Sequence, residues 1–315
     1  MILSRTPVRV SFIGGLSDYP QWFKDHPGAV LSATINKYVY LSMRRLPSFF
    51  AHKTRAVWSK IELVKDNAQI EHPMIRGCLG FMGIEDGLEI HYDGDLPGRS
   101  GMGSSAAFTV GLLHCLHALK SEMVSKRTLA LEAIEVDQDI VKETVGCQDH
   151  IASAFGGLNR IDFSGRRENF TVTSIPLDST RLRVFRQHLM LFYTGVPRHA
   201  SEVAARQVAK FAGNERLLEW MAANAGEGQR LLMAGDFREF GLLLEDAWQM
   251  KRSLGASNRV VDKAHGAALK AGALGAKILG AGEGGFMLVV AEPEKQAEIH
   301  DALSGLLHVP FEFEA

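Results

Sequence analysis

The stretch PGRSGMGSSA at residues 97–106 constrains the fold and the chemistry of this chain more than any other. Its three glycines and three serines lie between a strand-like run that ends near Tyr92 and a long apolar run that begins at Ala106. Glycine adopts positive φ angles easily and lets a ligand approach the backbone closely. The first N–H groups of a helix lack intrahelical partners and attract anions such as phosphate. The stretch therefore predicts a phosphate-binding loop that leads from a strand into a helix.

Several kinds of loop compete for this stretch. A P-loop requires a Lys after its last Gly, and no Lys lies between residues 97 and 119. The pattern GMGSSA at residues 101–106 also fits a dinucleotide fingerprint. That fingerprint expects an acidic residue at the end of a second strand roughly 20 residues later, whereas residues 121–131 are polar and then helical. An NAD-dependent dehydrogenase and a solvent loop without a ligand stay as alternatives.

The composition is that of an ordinary globular protein and excludes several classes of partner. The length of 315 residues corresponds to two domains. The net charge of −1 gives no basis for a nucleic-acid partner, and no apolar run reaches the roughly 18 residues of a membrane span. The three cysteines are odd in number and far apart, and the first residues lack the layout of a signal peptide. We therefore expect a cytoplasmic protein without nucleic-acid or membrane partners.

Strand-like and helix-like segments alternate along the chain without an internal repeat. Predicted strands cover residues 8–13, 33–43, 88–92, 158–163, 188–193, 277–279, 286–290 and 309–313. Predicted helices cover residues 106–119, 126–142, 200–211, 216–225, 237–252, 260–271 and 294–307. The helix over 106–119 is apolar on every face, which predicts a buried helix. The polar stretch 166–186 predicts irregular structure and a domain boundary.

Two further motifs accompany the glycine-serine loop, and the three together resemble the GHMP kinases. They are TPVRVSFIGGLSDY at residues 6–19 and LGAGEGGF at residues 279–286. Met102 stands where that family has Leu in its central loop, and Glu283 stands where a Gly is common. The resemblance implies an α+β fold with two domains. An ATP-binding domain like domain 2 of ribosomal protein S5 would span residues 1–184, and a ferredoxin-like domain would span residues 185–315.

Within that family, residues 4–20 and 145–161 most resemble bacterial sugar-1-kinases that act on heptose 7-phosphate. The implied reaction is ATP-dependent phosphorylation of the anomeric hydroxyl of D-glycero-D-manno-heptose 7-phosphate to the 1,7-bisphosphate. It would supply nucleotide-activated heptose for lipopolysaccharide or capsule. Gly15 and Leu16 replace the acidic and His residues of galactokinases, which weakens galactose as the substrate. A free-sugar anomeric kinase of the fucose or galactose type and a catalytically silent sugar-binding homologue stay as alternatives.

The resemblance also implies the nucleotide site, with ATP and Mg²⁺ as cofactors. Its predicted nucleotide-binding residues are Pro97, Gly98, Ser100, Gly101, Met102, Gly103, Ser104, Ser105 and Ala106. Ser105 and Asp137 are the implied metal ligands, and Asp137 is one methylene shorter than the Glu usual in the family, so a water molecule is allowed between it and the ion. Two plainer alternatives stay open: the two serines cap the helix, and Asp137 is a solvated surface residue.

Asp149 is the implied catalytic base, which would take the proton of the sugar hydroxyl. Arg9 is expected to neutralise charge on the transferring phosphoryl group. Asp18 is expected to accept hydrogen bonds from sugar hydroxyls, and Arg198 to bind the 7-phosphate of a sugar phosphate substrate. The full set of predicted substrate-binding residues is Gly14, Gly15, Asp18, Tyr19, Thr194, Gly195, Arg198 and Gly282. A turn-forming Asp149 and a solvated Arg198 are the plainer alternatives, and assembly as a homodimer is left open.

Overall fold

The strands of the computed structural model, which describes residues 1–98, 100–196 and 200–314, form two sheets. The first sheet contains β1 (Ile2–Ile13), β2 (Gly28–Arg45), β3 (Thr54–Val57), β4 (Ile61–Val64), β5 (Leu88–Gly94), β6 (Leu158–Ser164) and β7 (Arg166–Ser174). The second contains β8 (Leu189–Tyr193), β9 (Gly275–Ile278), β10 (Phe286–Val290) and β11 (Leu307–His308).

The helices lie between these strands. They are α1 (Pro20–Phe23), α2 (Pro73–Phe81), α3 (Ser104–Leu119), α4 (Lys126–Glu135), α5 (Gln148–Phe155), α6 (Ser179–Gln187), α7 (Ala200–Val208), α8 (Glu215–Ala234), α9 (Phe237–Ser253), α10 (Arg259–Lys270) and α11 (Gln296–Ala302). A wider π-helical turn, Val136–Ile140, follows α4 directly. Among the described residues, none of the helices combines the length and the hydropathy needed to cross a bilayer.

The long strand β2 organises the first sheet. It pairs antiparallel with β1 along one edge, and with β6 and then β5 along the other. Helix α3 packs against β1 and β2, and eleven of its sixteen residues are buried, in line with the prediction of a buried helix. Gly111 allows this close packing, since a Cβ there would lie 2.6 Å from the hydroxyl of Thr6. The sheet and α3 together fix where the glycine-serine loop lies.

The second sheet has the order β11-β8-β10-β9, with every neighbouring pair antiparallel. This is the strand order of a ferredoxin-like fold, as the sequence predicts. The predicted strand over 309–313 is wrong, because regular pairing ends at His308. Phe313 instead forms an isolated bridge to Ile35 of the first sheet, where its ring lies 6.4 Å from that of Phe12. The aromatic packing available at the first sheet outweighs continued pairing with β8.

The polar stretch 166–186 is structured, so the prediction of irregular structure there is wrong. Its first part is β7, which pairs with β6 as a hairpin through Gly165, where φ is +68°. Its second part lies in α6, which the carboxylate of Asp178 caps by accepting from the N–H of Arg181 at 2.8 Å. The alternation in β7 buries Phe170 and leaves its neighbours on the solvent side, which explains the polar composition. The boundary between residues 184 and 185 falls inside α6 and stays a prediction.

The two sheets share one hydrophobic core and one buried lysine. The ring of Phe12 on β1 lies 5.5 Å from Phe185 and 5.6 Å from Phe240. From β9, the Lys277 amine donates to the backbone oxygen of Phe12 at 2.6 Å. Burial, reinforced by the nearby charges of Lys251 and Arg9, holds the pKa of Lys277 well below its usual value. The junction of the sheets therefore carries an amine that resists protonation.

Replacing Lys277 with Met is expected to change how stability depends on pH. Between the lowered pKa and the ordinary value of 10.5, the unfolded chain binds more protons at this position than the folded chain. The stability of the wild type relative to Lys277→Met should therefore increase as pH rises through that window. Urea unfolding between pH 6 and 10 measures it. Lys263→Met removes an exposed lysine of α10 as the control, and a pH-independent difference for Lys277→Met contradicts the prediction.

Candidate active site

The glycine-serine loop ends in a helix start that no side chain caps. Gly103, with φ of +75°, is the N-cap residue of α3, so Ser104 and Ser105 lie inside the first turn. The alternative in which these serines cap the helix is therefore wrong. Gly101 also has a positive φ, +85°, and the first N–H groups of a helix have no intrahelical acceptor. These groups and the positive end of the helix dipole suit a phosphate.

The rest of the loop presents backbone, with one polar side chain beneath it. Met102 is fully buried, and Ala106 is nearly so, so neither side chain reaches a ligand. Ser100 is 1% exposed, and its hydroxyl has no hydrogen-bond partner within the described part of the chain. Buried hydroxyls are normally satisfied. This unpaired hydroxyl and the uncapped helix fit the polyphosphate of ATP. Pro97 and Gly98 lie on the exposed side of the loop.

Arg9 and Asp149 form an ion pair directly beside this loop. The Arg9 Nε donates to Asp149 Oδ1 and Nη2 donates to Oδ2, both at 2.7 Å. The Nη1 donates to the backbone oxygen of Gly101 at 2.8 Å, and the Arg9 N–H donates to that of Met102 at 3.1 Å. The Arg9 side chain is 2% exposed and that of Asp149 is 27% exposed. The pair joins the loop to α5 and leaves a carboxylate edge open to solvent.

Asp18 lies buried beside this pair and is 1% exposed. Its carboxylate accepts from the N–H of Leu16 at 3.1 Å and from that of Gln148 at 3.3 Å. Burial and the neighbouring charge of Asp149 raise the pKa of Asp18 to about 6. A Cβ at Gly146 would lie 1.9 Å from Asp18 Oδ2, so a larger residue at position 146 would collide with the Asp18 carboxylate. Bonding of Asp18 to a sugar stays a prediction, because the structure gives it backbone partners.

The other predicted residues of the first motif have clear structural surroundings. A Cβ at Gly14 would lie 1.9 Å from the backbone oxygen of Ala29, so only glycine fits there. Gly15 lies near Gln148, with 3.8 Å between its ideal Cβ and Nε2. Tyr19 precedes α1, and its ring packs edge-on against Phe211 at 6.1 Å. Substrate contacts for these three residues stay predictions.

The third motif meets the loop from the side of the second sheet. The N–H of Phe286 donates to the backbone oxygen of Ser100 at 3.2 Å, and a Cβ at Gly285 would lie 2.0 Å from that same oxygen. The hydroxyl of Thr194 donates to the backbone oxygen of Gly285 at 2.8 Å. Thr194, which the sequence predicted only as a substrate contact, is therefore held beside Gly285, and Gly285 packs against the loop.

Three more predicted substrate-binding residues, Gly195, Arg198 and Gly282, belong to the second half of the chain. Gly195 has φ of +71°, and an ideal Cβ there would meet no atom of the described residues within 4 Å. Gly282 packs on Ala256, where a Cβ would lie 2.3 Å from the backbone oxygen, so its place is explained by packing. Arg198 lies outside the described residues.

The two predicted metal ligands differ in accessibility. Ser105 is exposed at the helix start, and its hydroxyl fits a metal ion that the substrate phosphates also hold. Asp137 is 1% exposed, so the alternative of a solvated surface residue is wrong. Its two oxygens contact Thr109 and His150. Among the residues that the structure describes, no group of three or more His, Cys, Asp or Glu side chains is arranged to hold a metal.

The sequence analysis gave no role to two residues beside this site, Thr109 and His150. It noted Glu283 of the third motif only as a departure from the family pattern. Thr109 lies one helical turn after Ser105, and His150 follows Asp149, so their positions in the chain were the available signals. Glu283 has φ of +61° although it is not glycine. Its carboxylate accepts from Arg206 Nη2 at 2.7 and 2.8 Å.

Asp18→Asn is expected to remove a pH dependence of stability. The pKa of Asp18 is about 6 in the folded protein, against an ordinary value of 3.8 for an aspartate. The folded state therefore holds a proton there that the unfolded state releases between those pH values. Wild-type stability relative to Asp18→Asn should fall by on the order of 3 kcal/mol as pH rises from 4 to 7. Chemical unfolding at several pH values measures this fall, and a constant difference would contradict it.

Glu283 allows a matched pair of substitutions that isolates backbone strain. Glu283→Gly and Glu283→Ala both remove the ion pair with Arg206, but only Ala keeps a side chain at φ of +61°. A residue with a Cβ is disfavoured in this left-handed region, and the greater freedom of Gly in the unfolded state offsets part of that difference. We expect the Gly variant to be more stable than the Ala variant by about 1 kcal/mol. Thermal unfolding tests this order, which equal stabilities would refute.

Two protein-family models match this chain. The family model described as the GHMP kinases N terminal domain matches residues 59–157, and the family model described as GHMP kinases C terminal matches residues 229–308. Together they cover more than half of the chain.

Relatives of known name share nearly the whole length. The chain is 24% identical, over 96% of its length and 93% of the relative, to D-glycero-alpha-D-manno-heptose 7-phosphate kinase of Campylobacter jejuni. It is 25% identical, over 96% of its length and 92% of the relative, to galactokinase of Pyrococcus furiosus. The crystal structure of a D-glycero-D-manno-heptose 1-phosphate kinase from Bacteroides thetaiotaomicron superposes with a TM-score of 0.82, at 22% identity, over 99% of this chain and 96% of that one. The last likeness shows a shared fold.

The uncapped helix start, the three motifs around it and these matches agree with one another. The chain belongs to the GHMP kinases and is a phosphotransferase of that family.

Proposed function

We propose that this enzyme transfers the γ-phosphoryl group of ATP to the anomeric hydroxyl of D-glycero-D-manno-heptose 7-phosphate and yields the 1,7-bisphosphate. The product would feed nucleotide-activated heptose into lipopolysaccharide or capsule synthesis in the cytoplasm. The observation that carries the proposal is the Arg9–Asp149 pair, which lies against the uncapped start of α3. The proposed phosphate site and a partly exposed carboxylate thus lie side by side.

The proposed role of Asp149 is to accept the proton of the sugar hydroxyl. The hydroxyl oxygen forms a bond to the γ-phosphorus as the bond from that phosphorus to the β-bridging oxygen breaks, and ADP leaves. Arg9 occupies both carboxylate oxygens from one side, which fixes their orientation and leaves the opposite lone pairs for the hydroxyl. In this proposal Arg9 orients the base and also offsets negative charge that develops next to it.

The proposed phosphate site uses backbone N–H groups more than side chains. The N–H groups from Gly101 to Ser105 would hold the β- and γ-phosphates, and the unpaired Ser100 hydroxyl would donate to a phosphate oxygen. When bound, Mg²⁺ would offset the charge of the phosphates, with the exposed Ser105 hydroxyl as the residue of the chain that fits it. Together these groups would align the γ-phosphorus with Asp149.

The choice of a heptose phosphate rests on sequence likeness. Residues 4–20 and 145–161 follow the pattern of heptose 7-phosphate kinases, and the relative in Campylobacter jejuni is named as one. The segment that leads from Thr194 into α7 would meet the sugar phosphate, with Arg198 on the 7-phosphate. An arginine suits this task because its planar fork can bind phosphate oxygens in pairs.

A free-sugar anomeric kinase of the fucose or galactose type is the second candidate. The likeness to galactokinase of Pyrococcus furiosus, over nearly the whole chain, favours it. Against galactose stand Gly15 and Leu16, at positions where galactokinases are expected to carry acidic and His residues.

A panel of acceptors separates the two candidates. Purified enzyme with Mg-ATP is offered heptose 7-phosphate, mannose, galactose and fucose, and kcat/KM is measured for each from ADP release. We expect heptose 7-phosphate to be preferred. A preference for an unphosphorylated sugar would select the second candidate, and no turnover of any sugar would overturn both.

Asp149→Asn tests the base directly. The variant keeps the size of the side chain but loses proton affinity, so we expect kcat to fall by about a hundredfold or more. Binding of a non-hydrolysable ATP analogue, measured by calorimetry, should stay within a few fold and shows that the site is intact. Asp162→Asn, which also removes a carboxylate paired with an arginine, serves as the control and should keep kcat. An unchanged kcat in Asp149→Asn would remove it from the role of base.

A further inference from the structure

A buried carboxylate joins the two helices that carry the proposed phosphate site and base. Asp137 lies in the π-helical turn after α4. Its Oδ1 accepts from the hydroxyl of Thr109 on α3 at 2.9 Å, and its Oδ2 lies 2.9 Å from Nε2 of His150 on α5. All three side chains are buried. We call this set, Thr109, Asp137 and His150, the buried bridge.

The buried bridge is adjacent to two residues with proposed roles, Ser105 and Asp149. The Thr109 hydroxyl is also 3.3 Å from the backbone oxygen of Ser105, one helical turn earlier. His150 follows Asp149 in the first turn of α5. A shift of the bridge would therefore move the start of α3 relative to Asp149. Catalytic rates are sensitive to such shifts, since a misplacement of about 1 Å can lower a rate about a hundredfold.

The same contacts leave Asp137 poorly placed to bind a metal ion. Each of its oxygens has a protein partner, and its side chain is too buried to meet solvent. To meet an ion beside the exposed hydroxyl of Ser105, the carboxylate would have to move out of this buried position, away from Thr109 and His150. A buried polar group that loses its partner destabilises the folded protein.

We propose that Asp137 is a positioning residue, which holds α3 and α5 at a fixed separation, and that it does not bind the Mg²⁺ of this enzyme. The inference rests on the proposed function insofar as Asp149 is the base. In this arrangement Nε2 of His150 lies against the carboxylate, and its Nδ1 is buried with no partner among the described residues.

Asp137→Asn separates positioning from metal binding. Asn retains an oxygen for Thr109, and its amide can donate to His150 once the ring takes the other tautomer. A positioning residue should therefore tolerate Asn, whereas a carboxylate that binds Mg²⁺ should not. We expect the affinity of the protein–ADP complex for Mn²⁺, measured by electron paramagnetic resonance, to change less than threefold. A loss of more than tenfold would overturn the proposal.

Thr109→Val removes one hydrogen bond of the buried bridge and leaves the carboxylate of Asp137 in place. The substitution keeps the shape of the side chain but removes its donor, so we expect kcat to fall by between about tenfold and a hundredfold. KM for ATP and the Mn²⁺ affinity should be unchanged, and the metal-free protein should unfold at a lower temperature.

The control is Thr54→Val, in another buried threonine, whose hydroxyl donates to Asn67 at 2.6 Å. It should lower the unfolding temperature and leave kcat unchanged. If Thr109→Val changes kcat no more than this control does, the bridge has no positioning role. The Mn²⁺ titration and the metal-free unfolding need no turnover, so they test the bridge even if Asp149 is not the base.

Discussion

The ion pair between Arg9 and Asp149 is the contact on which the rest of this site depends. A guanidinium that is almost fully buried is tolerated only with a charged partner and satisfied hydrogen bonds. The charged partner of Arg9 is Asp149 on α5, and the backbone of the glycine-serine loop accepts a further hydrogen bond from Arg9. The residues it joins are 140 and 92 positions away in the chain. Satisfying this one side chain therefore forces strand, loop and helix together.

Charge is concentrated around that pair to a degree that the net charge of −1 conceals. On one side, Asp18 is buried near Asp149, and its raised pKa reflects both burial and like charge. On the other side, Lys277 lies near Arg9, and its lowered pKa has the corresponding causes. Burial is the larger cause of both pKa shifts, and a neighbour of like sign adds to each. The junction between the two sheets is an electrostatic centre as well as a hydrophobic one.

Much of the fold was predictable because local patterns determine it. The apolar residues on every face of 106–119 identified the buried helix, and two glycines of the loop, Gly101 and Gly103, have the positive φ that such a loop predicts. Patterns failed where a partner outside the segment decides the outcome. The polar residues of 166–186 form β7 because β6 is available to pair with them, and the burial of Asp137 depends on Thr109 and His150. The resemblance to the GHMP kinases assigned Arg9 and Asp149 to motifs but gave no distance between them.

The bridge between Phe313 and Ile35 has a consequence for how the chain reaches its folded form. The backbone of residues 34–36 exchanges hydrogen bonds with Glu312 and Glu314, and the ring of Phe313 lies against those of Phe12 and Phe185. A ribosome makes residues 312–314 long after residues 34–36. Part of this aromatic cluster therefore stays uncovered in the first half of the protein until residues 312–314 have been made. During synthesis this surface is open to chaperones and to aggregation, and residues 312–314 close it when they arrive.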